Sequence, residues 1–424
     1  MSYCRFVPRA LNLLSRGTTT LSTGTAASGY PLTYLYDGKP STPLLLSAAG
    51  NFTVDVDGDL LKGYGACETF SGGVATGWSN GSTGTGALAQ GTGAGFFHGG
   101  ASSQKLTSGA SGVARAYRDT LVRAGEVLTW DTVWLKTDGV ATVAMRLQDL
   151  STGKWWTGSA WSASVTDITT HNTTTWTDKT PGTAVTVDTA INLRAGVTTL
   201  RLSFVVDSST AAGSGYFDDV ALYPSVDFVG AFGHNLPVGA TVTLQSSTSS
   251  AWGSPTTEAT LSVYQPSFYS LLSAPVARRY WRFRVVDTIA DAARYLGELV
   301  ISSAVTLTRA PDYPIRAPRS WRTGRAETVL GHPHVAQRAS QPTRALEVTW
   351  ATSTAAEWRE VRDSIFLAAA GDFRDIVLIP RDDDAETCIF GRIDPTIAED
   401  QVILDYRGGY GLRIAEHPFP VVGL

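Results

Sequence analysis

The 424-residue chain has only two methionines and three cysteines, and only 17% of its residues are charged. Cys4, Cys67 and Cys388 are odd in number and far apart, which excludes a disulfide framework and gives no zinc spacing; they read as buried or incidental thiols. No apolar run approaches the length of a membrane span, and the opening stretch MSYCRFVPRALNLLSRG lacks the apolar core of a secretory signal. With 34 basic against 38 acidic side chains, the formal net charge is −4. Nothing in that balance attracts nucleic acid or an anionic membrane. The expectation is a chain made in a cytoplasm, with neither nucleic acid nor membrane insertion among its partners. Also missing are a Gly-x-Ser-x-Gly elbow, a phosphate loop and a spaced Cys/His pair. The acidic clusters RDDDAE (381–386) and YFDDV lie in a loop and at a strand end, not as two carboxylates across a cleft. No catalytic residue is assigned, and no enzyme is expected.

What the chain does have is glycine, threonine, serine, valine and tryptophan. Short Thr/Val-rich runs separated by Gly, Asn and Pro predict a mainly β protein, and the length allows roughly two to four domains. Composition shifts near Leu61 and again near Pro224, and the stretch between holds seven of the twelve tryptophans. Within it, Val133 and Leu135, then Val143, Met145 and Leu147, then Leu200, Leu202 and Phe204 alternate as strands of a β-sandwich or jelly roll do. GSGYFDDVALYP reads as a closing strand that stops at Pro224. STGKWWTGSAW reads as a hairpin in which Trp155 and Trp156 point to opposite faces, so that one of them is hard to bury.

Four pieces in order, ETF…TGW, Lys105 with Leu106, GEVLTWDTVWLKTDG and GYFDDVAL, resemble the jelly-roll carbohydrate-binding modules appended to xylanases and related glycanases. The resemblance implies a sugar-binding sandwich with aromatic platforms, often steadied by a structural calcium ion near the first and last strands. The matching carboxylates are Glu68 and Asp218 or Asp219. Calcium takes several hard oxygen ligands, and a solvated acid pair at a strand end is the alternative. Sugar rings stack their apolar faces on aromatic rings while their hydroxyls need polar partners. The candidate glycan contacts are Trp155, Trp156, Trp161, Trp134 and Asn172, with Gln148, Asp149, Lys154 and Asp167 as further hydrogen-bonding groups. Trp130, Trp134 and Trp176 read equally as filling of the sandwich core.

Before that stretch, the alternating strand NFTVDVDG breaks off without a partner; after it, VDFVGAFGHNLPVGATVTLQSS begins like the middle of a domain. Joined, the two flanks make one β-sandwich. YLYDGKPST, FTVDVDG, RRYWRFRV and LGELVI resemble a discoidin-like, galactose-binding-type domain, and the GHNL turn resembles a variant carried by phage-borne copies. Insertion at an exposed turn costs little when its ends lie close together. The expected division is 1–61 with 226–303 as a split sandwich, 62–225 as the insert, and 304–424 as a third unit. His234 and Asn235 in the turn read as turn-forming and backbone-capping residues.

The third unit is expected to be α+β. STAAEWREVRDSIFLAAAG predicts a helix, with Thr354 and Glu357 as capping box, an apolar stripe of Trp358, Val361, Ile365 and Phe366, and a stop at Gly371. Strands are predicted at 345–350, 375–379, 387–393, 401–406 and 412–416. The Pro- and Arg-rich stretch upstream reads as a long arm that orders against a neighbour, its Arg316, Arg319, Arg322 and Arg325 facing acidic surfaces. His332 and His334, with His417, are weighed as metal ligands against chance histidines beside prolines. A helix on an antiparallel sheet behind an extended arm is similar to the tube-derived domain of phage tail proteins, including distal-tail and baseplate structural components. That resemblance implies a virion tail-tip protein. Residues 304–424 would contact hub, tube or fibre proteins and further copies in a ring or multimer, while the insert is displayed to a host-surface glycan. The alternatives are a decoration protein that binds no sugar and a free carbohydrate-binding protein.

Overall fold

The computed structural model describes residues 3–188, 197–207, 212–264, 267–289 and 292–307. Beyond these it describes 310–316, 319–320, 323–327, 333–337, 343–354, 365, 375–382, 388–393, 399–403 and 406–416. The chain is mainly β, and its sheets are antiparallel, as the short Thr/Val-rich runs imply. Among the described residues no helix is long and apolar enough to cross a membrane.

One strand organises the two sandwiches. Gly213–His234 runs unbroken for 22 residues, and its two halves take different neighbours. The first half pairs with Val127–Thr137 and Ser103–Ser108, the second with Ser267–Ala277 and Tyr295–Ser302. The stop expected at Pro224 does not occur. Pro224 lies opposite Leu128 and Ser225 opposite Ala277, so the missing N–H falls where one partner strand hands over to another. A gap in the ladder is least disruptive there.

Each half of this strand backs a separate core. Over the first half lies a seven-stranded sheet whose centre is Val113–Arg123, Val197–Asp207 and Val143–Asp149. Between them pack Trp78, Leu106, Val133, Leu135, Met145, Leu202, Phe204 and Phe217. Over the second half lies a five-stranded sheet, and Phe52, Val54, Val229, Leu244, Trp281, Phe283 and Leu299 fill that gap. In the five-stranded sheet Phe52–Asp57 pairs directly with Tyr280–Val286, Val54 opposite Phe283, although the whole of 62–224 separates them in sequence.

The seam between the sandwiches is polar and buried. Asp59 Oδ1 accepts N–H bonds from Leu61 and Leu222, and Oδ2 one from Gly63. Gly65 touches the Val220 backbone so closely that no Cβ would fit. Arg16, in the turn Leu13–Arg16, makes a double ion pair with Glu126: Nη1–Oε1 2.7 Å and Nη2–Oε2 3.2 Å. Glu126 Oε2 also accepts from Arg123 N–H at 3.0 Å, and both charged groups are buried.

The first strand does not join the sandwich that follows it. Arg5–Pro8 lies in a separate nine-stranded sheet between Val305–Thr306 and Ile376–Ile379. That sheet also holds Thr343–Thr354, Ile389–Ile393, Glu399–Ile403 and Tyr406–Glu416. The run Ile376–Ile379 is apolar on both faces and has to be covered on both. Ile376 and Leu378 pack with Phe6, Leu346, Trp350 and Ile365 on one side. On the other, Val377 and Ile379 pack with Val7, Phe228, Phe232 and Phe390. Residues 5–8, assigned from sequence to the split sandwich, thus tie into the last quarter of the chain, because Phe6 and Val7 serve these two cores.

Of the predicted helix, only Ser353, Thr354 and Ile365 lie among the described residues; Ser353 and Thr354 end a strand, and Ile365 is buried. Arg316, Arg319 and Arg325 lie in strands of the expected arm, and Arg322 lies outside the described residues. His334 lies in the hairpin of Thr323–Glu327 with Pro333–Gln337; His332 and His417 lie outside the described residues. The three cysteines are buried and none is in a disulfide, and burial pushes the Cys4 thiol up to about 12. His234 caps backbone groups: Leu236 N–H donates to Nδ1 at 3.1 Å, and Nε2 bonds Tyr264 O at 2.9 Å.

Two predictions follow from these buried polar groups. Glu126→Ala strands the Arg16 guanidinium without its partner and should cost about 3–5 kcal/mol in denaturant unfolding. Replacing both, Arg16→Met with Glu126→Leu, should recover most of that loss. Burial holds His234 neutral, with its pKa lowered to about 4. The unfolded chain therefore binds the extra proton between pH ~6.5 and about 4, and stability must fall as pH drops through that window. His234→Gln should flatten this part of the stability–pH curve; an unchanged slope would refute the assignment.

Candidate functional site

The tryptophan hairpin is placed as alternation demands, but neither ring is left open. Trp155 is 9% exposed and Trp156 4%. Trp156 enters the sandwich core, with the Trp161 ring 5.4 Å away, and Trp161 Nε1 donates to Thr186 O at 2.8 Å. Trp155 lies opposite Gln148, and cross-strand partners share a face, so its ring is enclosed on the outer side of the seven-stranded sheet. Opposite faces here do not mean one wet and one dry ring. Asn172 is exposed just beyond the strand Thr169–His171.

That outer face carries a connected polar array. Along Val113–Arg123 the residues Ala114 and Ala116 face the core, which turns Arg115, Tyr117 and Asp119 outward. The same alternation turns Arg201 and the buried Ser203 on the next strand, and Arg146 and Gln148 on the third, to that side. Register sets Tyr117, Ser203 and Arg146 in one row, and Asp119, Arg201, Gln148 and Trp155 in the row beside it.

Arg201 grips Asp119 through two 2.8 Å bonds and lies over the Tyr117 ring at 4.0 Å. Arg146 Nε pairs with Asp167 at 2.5 Å. Arg115 differs from both: its Nε and Nη2 donate to Ser203 Oγ at 3.3 and 2.9 Å, and it makes no ion pair among the described residues. Burial, then the charges of Arg201 and Arg146, lower its pKa from the ordinary guanidinium value.

The opposite side of the same sandwich is aromatic and closed. Trp130 is a core residue, whereas Trp134 and Trp176 are partly exposed. The glycine-rich loop 92–101 folds over them. His98 stacks on Trp134, ring centres 3.6 Å apart and planes 11° off parallel, with Trp176 edge-on at 6.2 Å. Gly95 O accepts from Trp176 Nε1 at 3.2 Å and from Lys136 Nζ, and Phe96 sits 5.5 Å from Tyr216.

The three carboxylates named as possible calcium ligands hold this loop. Asp218 Oδ2 accepts N–H bonds from His98 (2.9 Å) and Gly99 (3.3 Å), and Oδ1 one from Asp219. Burial pushes the Asp218 carboxyl up to about 7, with the N–H of His98 pulling it down and the Asp219 charge raising it. Asp219 bonds His98 Nδ1 at 2.8 Å, and both Glu68 oxygens accept from Ala101 N–H. Asp219 (φ 47) and Cys67 (φ 49) take the left-handed backbone that costs a non-glycine residue energy. Among the described residues no group of three His, Cys, Asp or Glu side chains could hold a metal ion. As arranged, Asp218 and Glu68 bind backbone N–H groups of the loop, and Asp219 binds the His98 ring.

Sequence reasoning reached Trp155, Trp134, Gln148, Asp167 and the carboxylates. It passed over His98, Arg115, Tyr117, Arg146 and Arg201. The signal for Arg115 and Tyr117 was present in VARAYRD, where alanines alternate with large polar and aromatic residues.

No protein-family model matches the chain, and no curated protein matches it. Solved structures do. TmCBM61 in complex with beta-1,4-galactotriose is 14% identical, with 36% of this chain and 91% of that one covered at a TM-score of 0.25. The N-terminal CBM22-1–CBM22-2 tandem domain of Paenibacillus barcinonensis Xyn10C is 9% identical, covering 56% and 96% at 0.26. A beta-1,2-glucanase from Parabacteroides distasonis is 11% identical at 0.21, with 55% of this chain and 37% of that one covered. Similarity of this degree carries no argument about ligand or activity, which has to come from the chain's own residues.

The loop over Trp134 can be loosened by one atom. Gly100 has φ +62, and a Cβ there would run into the Glu68 carboxylate. Gly100→Ala should cost about 1–2 kcal/mol and unstack His98, seen as faster acrylamide quenching of tryptophan fluorescence; unchanged quenching would show that the stack does not depend on this anchor.

Proposed function

We propose that residues 62–225 form a glycan-binding module, inserted in the sandwich that its flanking segments build, and that sugar lies on the outer face of its seven-stranded sheet. One observation carries this: Tyr117, Arg201 and Gln148 line adjacent strands on one face, with the enclosed Trp155 closing the row beside Gln148. An aromatic ring suits the apolar face of a pyranose, and the polar groups beside it suit its hydroxyls. The other face has its Trp134 ring covered by His98 and is the less suited. In this arrangement Trp156 and Trp161 support the hairpin, and Asn172 lies at the rim.

For the whole chain we propose a structural protein of a phage tail tip or baseplate that presents this module to a host surface. That setting rests on the sequence resemblance of 304–424 and on the domain order, and on no feature of the described C-terminal strands. Several weak sites on one assembly would gain avidity of ~10²–10⁴. A glycan array probed with the full-length protein tests the central claim. Bound glycans should be lost about tenfold or more by Tyr117→Ala and by Trp155→Ala, a difference of ~1.4 kcal/mol or more. Silence across the array from a folded protein would instead favour a decoration role without sugar.

A further inference from the structure

We infer that the glycan taken up by this sheet face is acidic, and that Arg115 receives a sugar carboxylate. The inference rests on the glycan-binding function proposed above and adds the chemical class of the ligand. Three guanidinium groups project from three adjacent strands, Arg115, Arg201 and Arg146. The protein neutralises two of them itself, through Asp119 and Asp167. Arg115 alone has a hydroxyl in place of a carboxylate: Ser203 Oγ, on a residue with no exposed surface, accepts from its Nε and Nη2. The side chain is therefore oriented, with no bond from its Nη1 among the described residues.

A hydroxyl orients a guanidinium without cancelling its charge, and the two neighbouring arginines add to the positive potential at the same spot. Burial and those neighbours already weaken its hold on a proton. A neutral sugar laid over this face would bury the charge further with nothing to balance it, which is unfavourable. A planar carboxylate removes the imbalance and matches the two-pronged donor geometry of arginine, which lysine cannot reproduce. Tyr117, with Arg115 5.7 Å and Arg201 4.0 Å from its ring centre, sets the side wall against which the sugar carrying that carboxylate would rest.

The test compares each acid with its own neutral form. Binding of the full-length protein to oligomers of galacturonate, glucuronate and mannuronate is measured by calorimetry beside the same oligomers fully methyl-esterified. At least one acid should bind about tenfold or more tightly than its ester, with the margin shrinking as salt rises from ~50 to ~500 mM. Arg115→Gln should abolish the acid-over-ester margin, and Arg115→Lys should keep only a minor part of it. Equal affinity for acid and ester in the unaltered protein would overturn the charge assignment while leaving glycan binding intact. Binding of neither form of any oligomer would overturn the inference together with the proposed function for this ligand class. A margin that survives in Arg115→Gln would overturn the role of Arg115. If that variant does not fold, the acid–ester comparison in the unaltered protein and in Arg115→Lys still decides.

Discussion

A single hydrogen-bonded ladder, carried by Gly213–His234, constrains everything on either side of it. A strand shared by two sandwiches leaves no flexible joint between them, because bending at the seam would break pairing on both flanks. The insert therefore does not hang from its host on a tether. Its other connection, at 58–65, is fixed by Asp59, whose carboxylate binds both the entering chain and Leu222 of the shared strand. The Arg16–Glu126 pair adds a third fixed point, from a turn of the host to a turn of the insert. Buried pairs of this kind add little net stability, since desolvation offsets their attraction. Their effect is on geometry: any relative rotation of the sandwiches separates two charges that cannot reach water.

The same logic ties in the third sheet. Ile376–Ile379 shows apolar side chains to both sides, and residues far away in the sequence cover it: Phe6 on one side, Val7 with Phe228 and Phe232 of the shared strand on the other. The rings of Phe232 and Phe390 meet at 5.2 Å across that boundary. Such pairing makes many contacts between residues hundreds of positions apart, an arrangement that folds slowly because loop closure comes before its reward. It also makes the unit behind Ile376 dependent on the first strand of the chain.

Local patterns in the sequence were legible where local physics decides the outcome. Alternation in Val143, Met145 and Leu147 or in Leu200, Leu202 and Phe204 marks core-facing residues, because a strand has no other way to bury one face. The capping role of His234 could be read from a turn of Gly, Asn and Pro. Three features could not be read, and each depends on a distant partner. Pro224 looked like a stop until its place between two partner strands was known. Arg5–Pro8 looked like part of the nearest sandwich because nothing nearby reveals a β-partner more than 360 positions away. Trp134 could be read as core or as a glycan contact because a lone strand does not show which of its faces a loop will cover, and the covering residue, His98, lies in a glycine-rich stretch with no pattern of its own.

The two outer faces of the inserted sandwich show how one fold makes surfaces of opposite character. On one, loop 92–101 spends four carboxylate-to-backbone bonds and two strained residues to lay an imidazole on Trp134, satisfying with its own atoms what a ligand would otherwise satisfy. On the other, the strands leave a guanidinium held by a hydroxyl. A structure that merely needed to close that face could have placed an aspartate at position 203, as it did opposite Arg201 with Asp119. A serine there orients Arg115 but leaves its charge for something outside the chain, and that difference between orienting and neutralising is what separates a site from a packed surface.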